Sequence, residues 1–250
     1  MQLNEGGNIF KTAEGTPLTQ RINRVDVPGT IKWIESATGI AFPQETWLGT
    51  TGKKSSSGDL DLAVDETKTT KEDLIKVLLS KGVDAKDIKK SGDSVHVKAP
   101  IAGDPNNGFV QADLMFGDPA WQAFSMSGAP EESKLTGMSR HVILASIVSA
   151  LQPGLKWSYK HGLVDRVTNQ TIEDGRSAKK LSDVTGIPVA KLNTADDILD
   201  AVSKRPNYDQ LIAAARETLS KSNIQLPEAA PLPGTAAWFR KTANKIVYCY

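Results

Sequence analysis

The sequence predicts an α+β fold: a mixed β-sheet with packed helices, followed by a mainly helical C-terminal region. Three observations carry this. Residues 59–65, 94–101 and 108–116 alternate or run apolar at strand length. Residues 70–81 and 137–151 repeat apolar side chains at helical spacing. After Pro119 the pattern turns almost wholly helical.

Taken in order, residues 1–28 are polar, with Gly6-Gly7, and read as an N-terminal arm with a short element around Arg21–Val27. In 29–40, Ile31, Ile34 and the Ala37/Thr38 region recur at helical spacing and Gly39 supplies the stop. Pro43 breaks the chain, and Glu45–Leu48 reads as a first strand. The alternation Asp59–Asp65 gives the next. Thr69 or Thr70 caps the helix 70–81, Glu72 and Asp73 charge its first turn, and Gly82 ends it. Residues 94–101 and 108–116 are joined through Pro105-Asn106-Asn107-Gly108, which has hairpin-turn chemistry. The helix 137–151 places Met138, Val142, Ile143, Ile147 and Leu151 on one stripe. Residues 156–173 read as an extended hairpin, and 178–185, 194–204 and 207–221 as helices. The expected organisation is an arm (1–28), a core (29–125), a helical region (126–225), and a Pro-rich linker with a closing tail (226–250), the tail ending in a strand at Ile246–Tyr250.

Composition narrows the class. Of the 250 residues, 39% are hydrophobic and 24% charged, as in soluble globular proteins. The net charge of +1 sets up no overall field toward nucleic acid, although a local basic groove stays open. The one cysteine, Cys249, excludes an internal disulfide framework and fits a reducing cytosol. No apolar run reaches membrane-spanning length, and MQLNEGGNIF lacks the basic-then-apolar order of a secretory signal. A cytoplasmic protein with no membrane partner is expected.

The chemistry concentrates in GTTGKKSSSGDLDLAVD, residues 49–65. On the strand, Asp59, Asp61 and Asp65 share one face, and Leu60, Leu62 and Val64 take the other. Carboxylates at i and i+2 form a rigid pair of oxygen ligands suited to a hard divalent cation such as Mg²⁺. The preceding loop offers backbone N–H groups, hydroxyls and two ammonium groups, which suit phosphate or simply make a mobile surface turn. Asp113 lies mid-strand between Ala112 and Leu114, and a carboxylate there calls for a metal or a salt bridge. Asp65 lies about 13 Å along the strand from Asp59 and reads as a strand-end cap or a solvated acid.

Gly49-Thr50, a short loop, then Gly58-Asp59-x-Asp61 with a third acid on a later strand resembles the signature of the polymerase-beta-like nucleotidyltransferase superfamily. The resemblance covers residues 45–116, with Thr50 where the family usually has Ser. GGNIF…TQRI near the N-terminus resembles uncharacterised bacteriophage proteins, which would make the cytoplasm that of an infected host.

The superfamily resemblance implies transfer of a nucleoside monophosphate from an NTP to an acceptor hydroxyl, with release of pyrophosphate. Asp59 and Asp61 would bridge two Mg²⁺ ions (Mn²⁺ as the substitute) about 3.5–4 Å apart, and Asp113 would hold the ion on the acceptor hydroxyl. Gly49, Thr50, Lys53, Lys54, Ser55, Ser56, Ser57 and Gly58 would bind the triphosphate. Lys134 or Arg140 would reach its tail, or else sit on a solvated helix face. The acceptor is left open among a nucleic-acid 3′ end, a small molecule, a protein side chain and a nucleotide. Lys156, Tyr159, Lys160, His161 and Arg166 mix bases with aromatics, which suits nucleobase stacking or an amphipathic hairpin packed through Trp157. His96, between Val95 and Val97, reads as structural. The competing class is a catalytically inactive module that binds nucleotide or metal and recognises a partner.

Overall fold

The computed structural model describes residues 9–229. The chain forms two compact units that divide between Glu132 and Ser133. Together they make an α+β protein with a mixed sheet and, among the described residues, seven α-helices.

The first unit is built on a four-stranded sheet. Its strands are β3 (Asp59–Asp65), β4 (Ile88–Ser91), β5 (Ser94–Pro100) and β6 (Phe109–Gly117), in the order β3-β6-β5-β4. β3 runs parallel to β6, and the other pairs are antiparallel. Alternation sorts the two faces. Leu60, Leu62, Val64, Val95, Val97, Val110, Ala112 and Leu114 are buried in one core with Ile31 and Ile34 of α1 (Val27–Thr38) and Leu74 and Leu78 of α2 (Lys71–Ser80). The opposite face carries Asp59, Asp61, His96, Lys98, Gln111 and Asp113. A one-residue slip would exchange the two sets, so apolar burial on one face fixes the register of the other.

Local chemistry sets the helix ends. α1 starts with Pro28 in its first turn and stops at Gly39, whose φ of 71° is left-handed. The Thr70 hydroxyl caps α2 by accepting from the Asp73 N–H at 3.1 Å. The one fully buried hydroxyl of α1, Thr30, donates to Asp26 O and accepts from Ala102 N–H.

Four features of this unit depart from the sequence expectation. Gln44–Thr46 form a 3-10 turn and not a strand, and only Trp47 bridges β3, opposite Leu62. The strand β4 is additional, closed onto β5 by the two-residue turn Gly92-Asp93. The link from β5 to β6 holds two 3-10 turns, Ile101–Gly103 and Pro105–Asn107, in place of a tight hairpin turn. Residues 9–28 pack into the unit: Phe10 and Ile22 are buried, and β1 (Ile22–Asn23) pairs with β2 (Ser56–Ser57). The short α3 (Pro119–Ser125) follows β6, capped by Asp118.

The second unit packs α4 (Gly137–Leu151), α5 (Ala178–Thr185), α6 (Ala195–Val202) and α7 (Tyr208–Ser220) with the hairpin β7 (Leu155–Ser158)–β8 (Gly162–Asp165). A Thr136/Ser139 capping box starts α4. Ile143, Leu144, Ile147 and Val148 are buried, whereas Met138, expected on the apolar stripe, is 65% exposed. The expected tail elements of 235–250 and Cys249 lie outside the described residues.

Core burial on the sheet's apolar face predicts a strong position dependence. Leu114→Ala, at 0% exposure, is expected to cost about 2–5 kcal/mol in urea unfolding, and Leu79→Ala, at 45% exposure, well under that. Equal losses at the two sites would contradict this placement of the core.

Candidate metal centre

The parallel register of β3 and β6 sets Asp61 directly beside Asp113, and Asp59 beside Gln111. The result is a triad: one carboxylate oxygen each from Asp59, Asp61 and Asp113 can be chosen so that all lie within 4.8 Å of one another. Ligands on adjacent corners of a Mg²⁺ octahedron lie about 2.9 Å apart at bond lengths of 2.0–2.1 Å, so small side-chain rotations suffice to bring the three onto one ion. Asp65, on the same face, takes no part. Its Oδ1 accepts from the N–H and hydroxyl of Thr67, closing the turn after β3 and lowering its pKa.

The electrostatics fit a cation. Burial pushes Asp61 well above the ordinary carboxylate range, and the charges of Asp59 and Asp113 push it the same way. Among the described residues no Lys or Arg forms a salt bridge with Asp61. The donors are all hard carboxylate oxygens, the set that Mg²⁺ or Mn²⁺ takes. The three aspartates can therefore hold a metal ion.

Each acid is held from outside the triad. Thr51, 1% exposed, clasps the Asp61 backbone: its hydroxyl accepts from Asp61 N–H at 2.9 Å and donates to Asp61 O at 3.4 Å. Leu48 N–H donates to the same carbonyl at 2.9 Å. Gly49 approaches Asp61 so closely that a Cβ there would stand 2.8 Å from Asp61 Oδ2, and its φ of +55° adds a second reason for glycine. Asp113 Oδ1 lies 2.7 Å from His96 Nδ1 and accepts from Gln111 Nε2 at 2.9 Å. An ionised carboxylate only accepts, so with Asp113 ionised the contact calls for the ring tautomer that carries its proton on Nδ1. Gln111 is anchored in turn, its Oε1 accepting from Ile9 N–H at 2.9 Å. His96, read from its strand position as structural, is thus attached to the triad through Asp113. Gln111 and Thr51 are further residues that spacing did not reveal.

The loop between Gly49 and Gly58 is compact. The Ser57 hydroxyl donates to Thr50 O at 3.1 Å, and the Thr50 hydroxyl to Ser57 Oγ at 3.4 Å. Ser56 accepts the Arg21 guanidinium on both its carbonyl and its hydroxyl. The N–H and hydroxyl of Ser55 both donate to the Glu131 carboxylate, at 2.7 and 3.0 Å. Lys53 is exposed, Lys54 is half-buried, and Gly58 links β2 to β3. Lys134 and Arg140 belong to the second unit. Lys134 is exposed there, but Arg140 is 1% exposed and donates from Nε to Leu192 O at 2.7 Å. Its guanidinium is an internal brace of that unit, so the expected solvent-facing role at a phosphate tail does not fit. Beside it on α4, burial and the Arg140 charge lower His141 to about 4, and its ring lies 5.3 Å from that of Tyr159.

The raised Asp61 has a stability consequence. Unfolded, it titrates at its ordinary 3.8. Between that value and the raised folded one, the native chain keeps a proton that the unfolded chain has released. Stability therefore falls as pH rises through this window and stays low above it. In metal-free protein at neutral pH, Asp61→Asn is expected to melt higher than wild type and to lose the stabilisation that Mg²⁺ gives. Wild type is expected to gain from Mg²⁺ at neutral pH and progressively less on acidification. Melts with and without EDTA across about pH 4–8 check this. A wild-type melting temperature indifferent to Mg²⁺ would remove the metal site.

No family model matches the chain, and no curated protein matches it either.

Proposed function

We propose that this chain is a metal-dependent nucleotidyltransferase that moves a nucleoside monophosphate from an NTP to an acceptor hydroxyl and releases pyrophosphate. The observation that carries this reading is the carboxylate triad, Asp59 and Asp61 on one strand and Asp113 in register on the parallel neighbour, on the polar face of a mixed sheet. With the Gly49-Thr50 loop placed against Asp61, it supports a nucleotidyltransferase-like core.

The reaction forms a bond from the acceptor oxygen to the α-phosphorus and breaks the bond from that phosphorus to the bridging oxygen of the β-phosphate. The acceptor proton passes to a carboxylate or to solvent. Bound Mg²⁺ would neutralise the phosphate charge and favour the ionised hydroxyl. The chain's own part is positioning and charge. Asp59 and Asp61 are held about two residues' rise apart by strand geometry. His96 on Oδ1 and Gln111 Nε2 across Oδ1 and Oδ2, at 2.9 and 3.2 Å, restrain the Asp113 carboxylate and fix its plane. Thr50 and the backbone of the loop present donors for the β- and γ-phosphates. Lys53 and Lys54 add positive charge that falls off with salt.

The direct test is incubation with Mg²⁺ and each NTP labelled at the α-phosphate, with nucleic-acid 3′ ends, nucleotides, small hydroxyl compounds and protein as acceptors. Label transfer with matching pyrophosphate release is expected, reduced on the order of 10³-fold or more in Asp59→Ala and Asp61→Ala. His96→Ala is expected to lower kcat more than it raises KM, because it disturbs the orientation of Asp113 and leaves the loop intact. Thr50→Ala should weaken NTP binding by about 1 kcal/mol. Mg²⁺-dependent NTP binding without turnover on any acceptor would leave a binding module instead.

A further inference from the structure

The turn Lys53–Ser56 is crowded with positive charge. Arg24 N–H donates to Ser55 O at 2.9 Å, and the Arg24 guanidinium reaches Lys53 O at 3.4 Å. Arg21 holds Ser56, and Lys53 and Lys54 belong to the turn itself. Into this setting the segment after α3 delivers one acid. Glu131 seats both carboxylate oxygens on one residue, Oε2 on the Ser55 N–H at 2.7 Å and Oε1 on the Ser55 hydroxyl at 3.0 Å. A backbone N–H, a hydroxyl and flanking cations make a donor set that also fits a phosphate oxygen pair. The segment is brought there by a fixed anchor. Gly49 N–H donates to Met126 O at 2.9 Å, and Ser127 bridges Gly49 in parallel. Gly128 lies against the Gly49 carbonyl so tightly that a Cβ would collide with it. From that anchor, withdrawal of the Glu131 carboxylate frees the N–H and hydroxyl of the exposed Ser55.

We propose that Ser55, with Arg24 and Lys54, forms a phosphate site held closed by Glu131, an internal carboxylate that a polyphosphate tail must displace. The identity of the anion rests on the nucleotidyltransferase reading. Its occupant does not, because Glu131 already makes the contacts. The Ser55 N–H and hydroxyl lower the Glu131 pKa, so the side chain stays an anion throughout the neutral range. Polyphosphate binding is then a competition: it releases the Glu131 contacts and forms its own with the same donors. The Glu131-bound state lowers the apparent affinity in proportion to the small fraction of molecules whose Ser55 donors are free.

The experiment uses inorganic tripolyphosphate, titrated calorimetrically in EDTA into the full chain. Glu131→Gln keeps the shape of the side chain and removes its charge. It is expected to bind tripolyphosphate on the order of five- to tenfold more tightly than wild type. Glu132→Gln removes a neighbouring exposed charge and is expected to change affinity less than about twofold. Adding Ser55→Ala to Glu131→Gln should remove most of the gain. The inference is overturned if Glu131→Gln binds no more tightly than wild type, if Glu132→Gln gains as much, or if the gain survives Ser55→Ala. Tripolyphosphate carries no nucleoside to transfer, so the two ideas fail separately. A gain in Glu131→Gln without any transferase activity would sink the catalytic reading alone. Transferase activity with no such gain would sink the gate alone.

Discussion

Parallel pairing of β3 with β6, in the register that sets Asp61 beside Asp113, is the constraint on which the rest of the first unit depends. Like charges directly opposite one another across a strand pair are destabilising. The register holds nonetheless because the alternate residues of the same strands, Leu60, Leu62, Ala112 and Leu114, are all at 0% exposure. Shifting either strand by one residue would part Asp113 from the other two acids and expose the buried residues of the shifted strand. Apolar burial at about 25 cal/mol per Å² over several side chains exceeds the repulsion of a partly solvated acid group. The hydrophobic core therefore enforces an electrostatic fault on the opposite face, and proton uptake or a cation relieves it.

Seen from that fault, the surrounding polar contacts fall into order. Thr51 and Leu48 fix the Asp61 backbone, and Gly49 makes room for its carboxylate. His96 meets one oxygen of Asp113 and the Gln111 amide spans both. Hydrogen bonds from outside a ligand set orient the ligands and stiffen the site before any ion arrives. The chain of contacts continues through Gln111 to Ile9, so the N-terminal residues that read as a polar arm support the third acid.

How much of this could be read from the sequence follows from the range of each interaction. The alternation of 59–65, the Thr70 cap and the Gly39 stop are local, and the structure carries all three. The acid pair on one strand face is equally local. Joining Asp113 to it required a second strand of matching polarity, which its apolar neighbours supplied. The pairing of His96 with Asp113 was out of reach, because it depends on the register of β5 against β6. That register is set by two consecutive 3-10 turns whose length no turn signature specifies. β4 was missed because Lys89, Lys90 and Ser91 are exposed on an edge strand and carry no apolar alternation. Glu45–Leu48 looked like a strand because Trp47 and Leu48 are large and apolar. The Trp47 indole N–H is instead engaged by Phe42 O, within a turn rather than a ladder. Arg140 misled for the opposite reason: a lone Arg in a helical pattern reads as solvent-facing, and only the tertiary structure supplies the Leu192 carbonyl that accounts for its burial.

The first unit thus carries two charge imbalances of opposite sign. The triad gathers three carboxylates with raised Asp61 as the symptom, and the Lys53–Ser56 turn gathers cations and donors with the Glu131 carboxylate seated on Ser55. Neither is a closed salt-bridge network: Glu131 meets the Ser55 donors with Arg24 and Lys54 close by, and a protein built only for stability would remove the aspartates. A divalent ion alone satisfies the triad and leaves the turn as it is. A free phosphate satisfies the turn and adds negative charge near the triad. A metal–polyphosphate supplies both signs at once, with the ion for the carboxylates and the phosphate oxygens for the N–H, hydroxyl and ammonium groups. That double complementarity argues for a metal–polyphosphate more strongly than either half does, because one half calls for a cation and the other for an anion, and the loop from Gly49 to Ser57 ties them together through the contacts of Gly49 and Thr51 with Asp61.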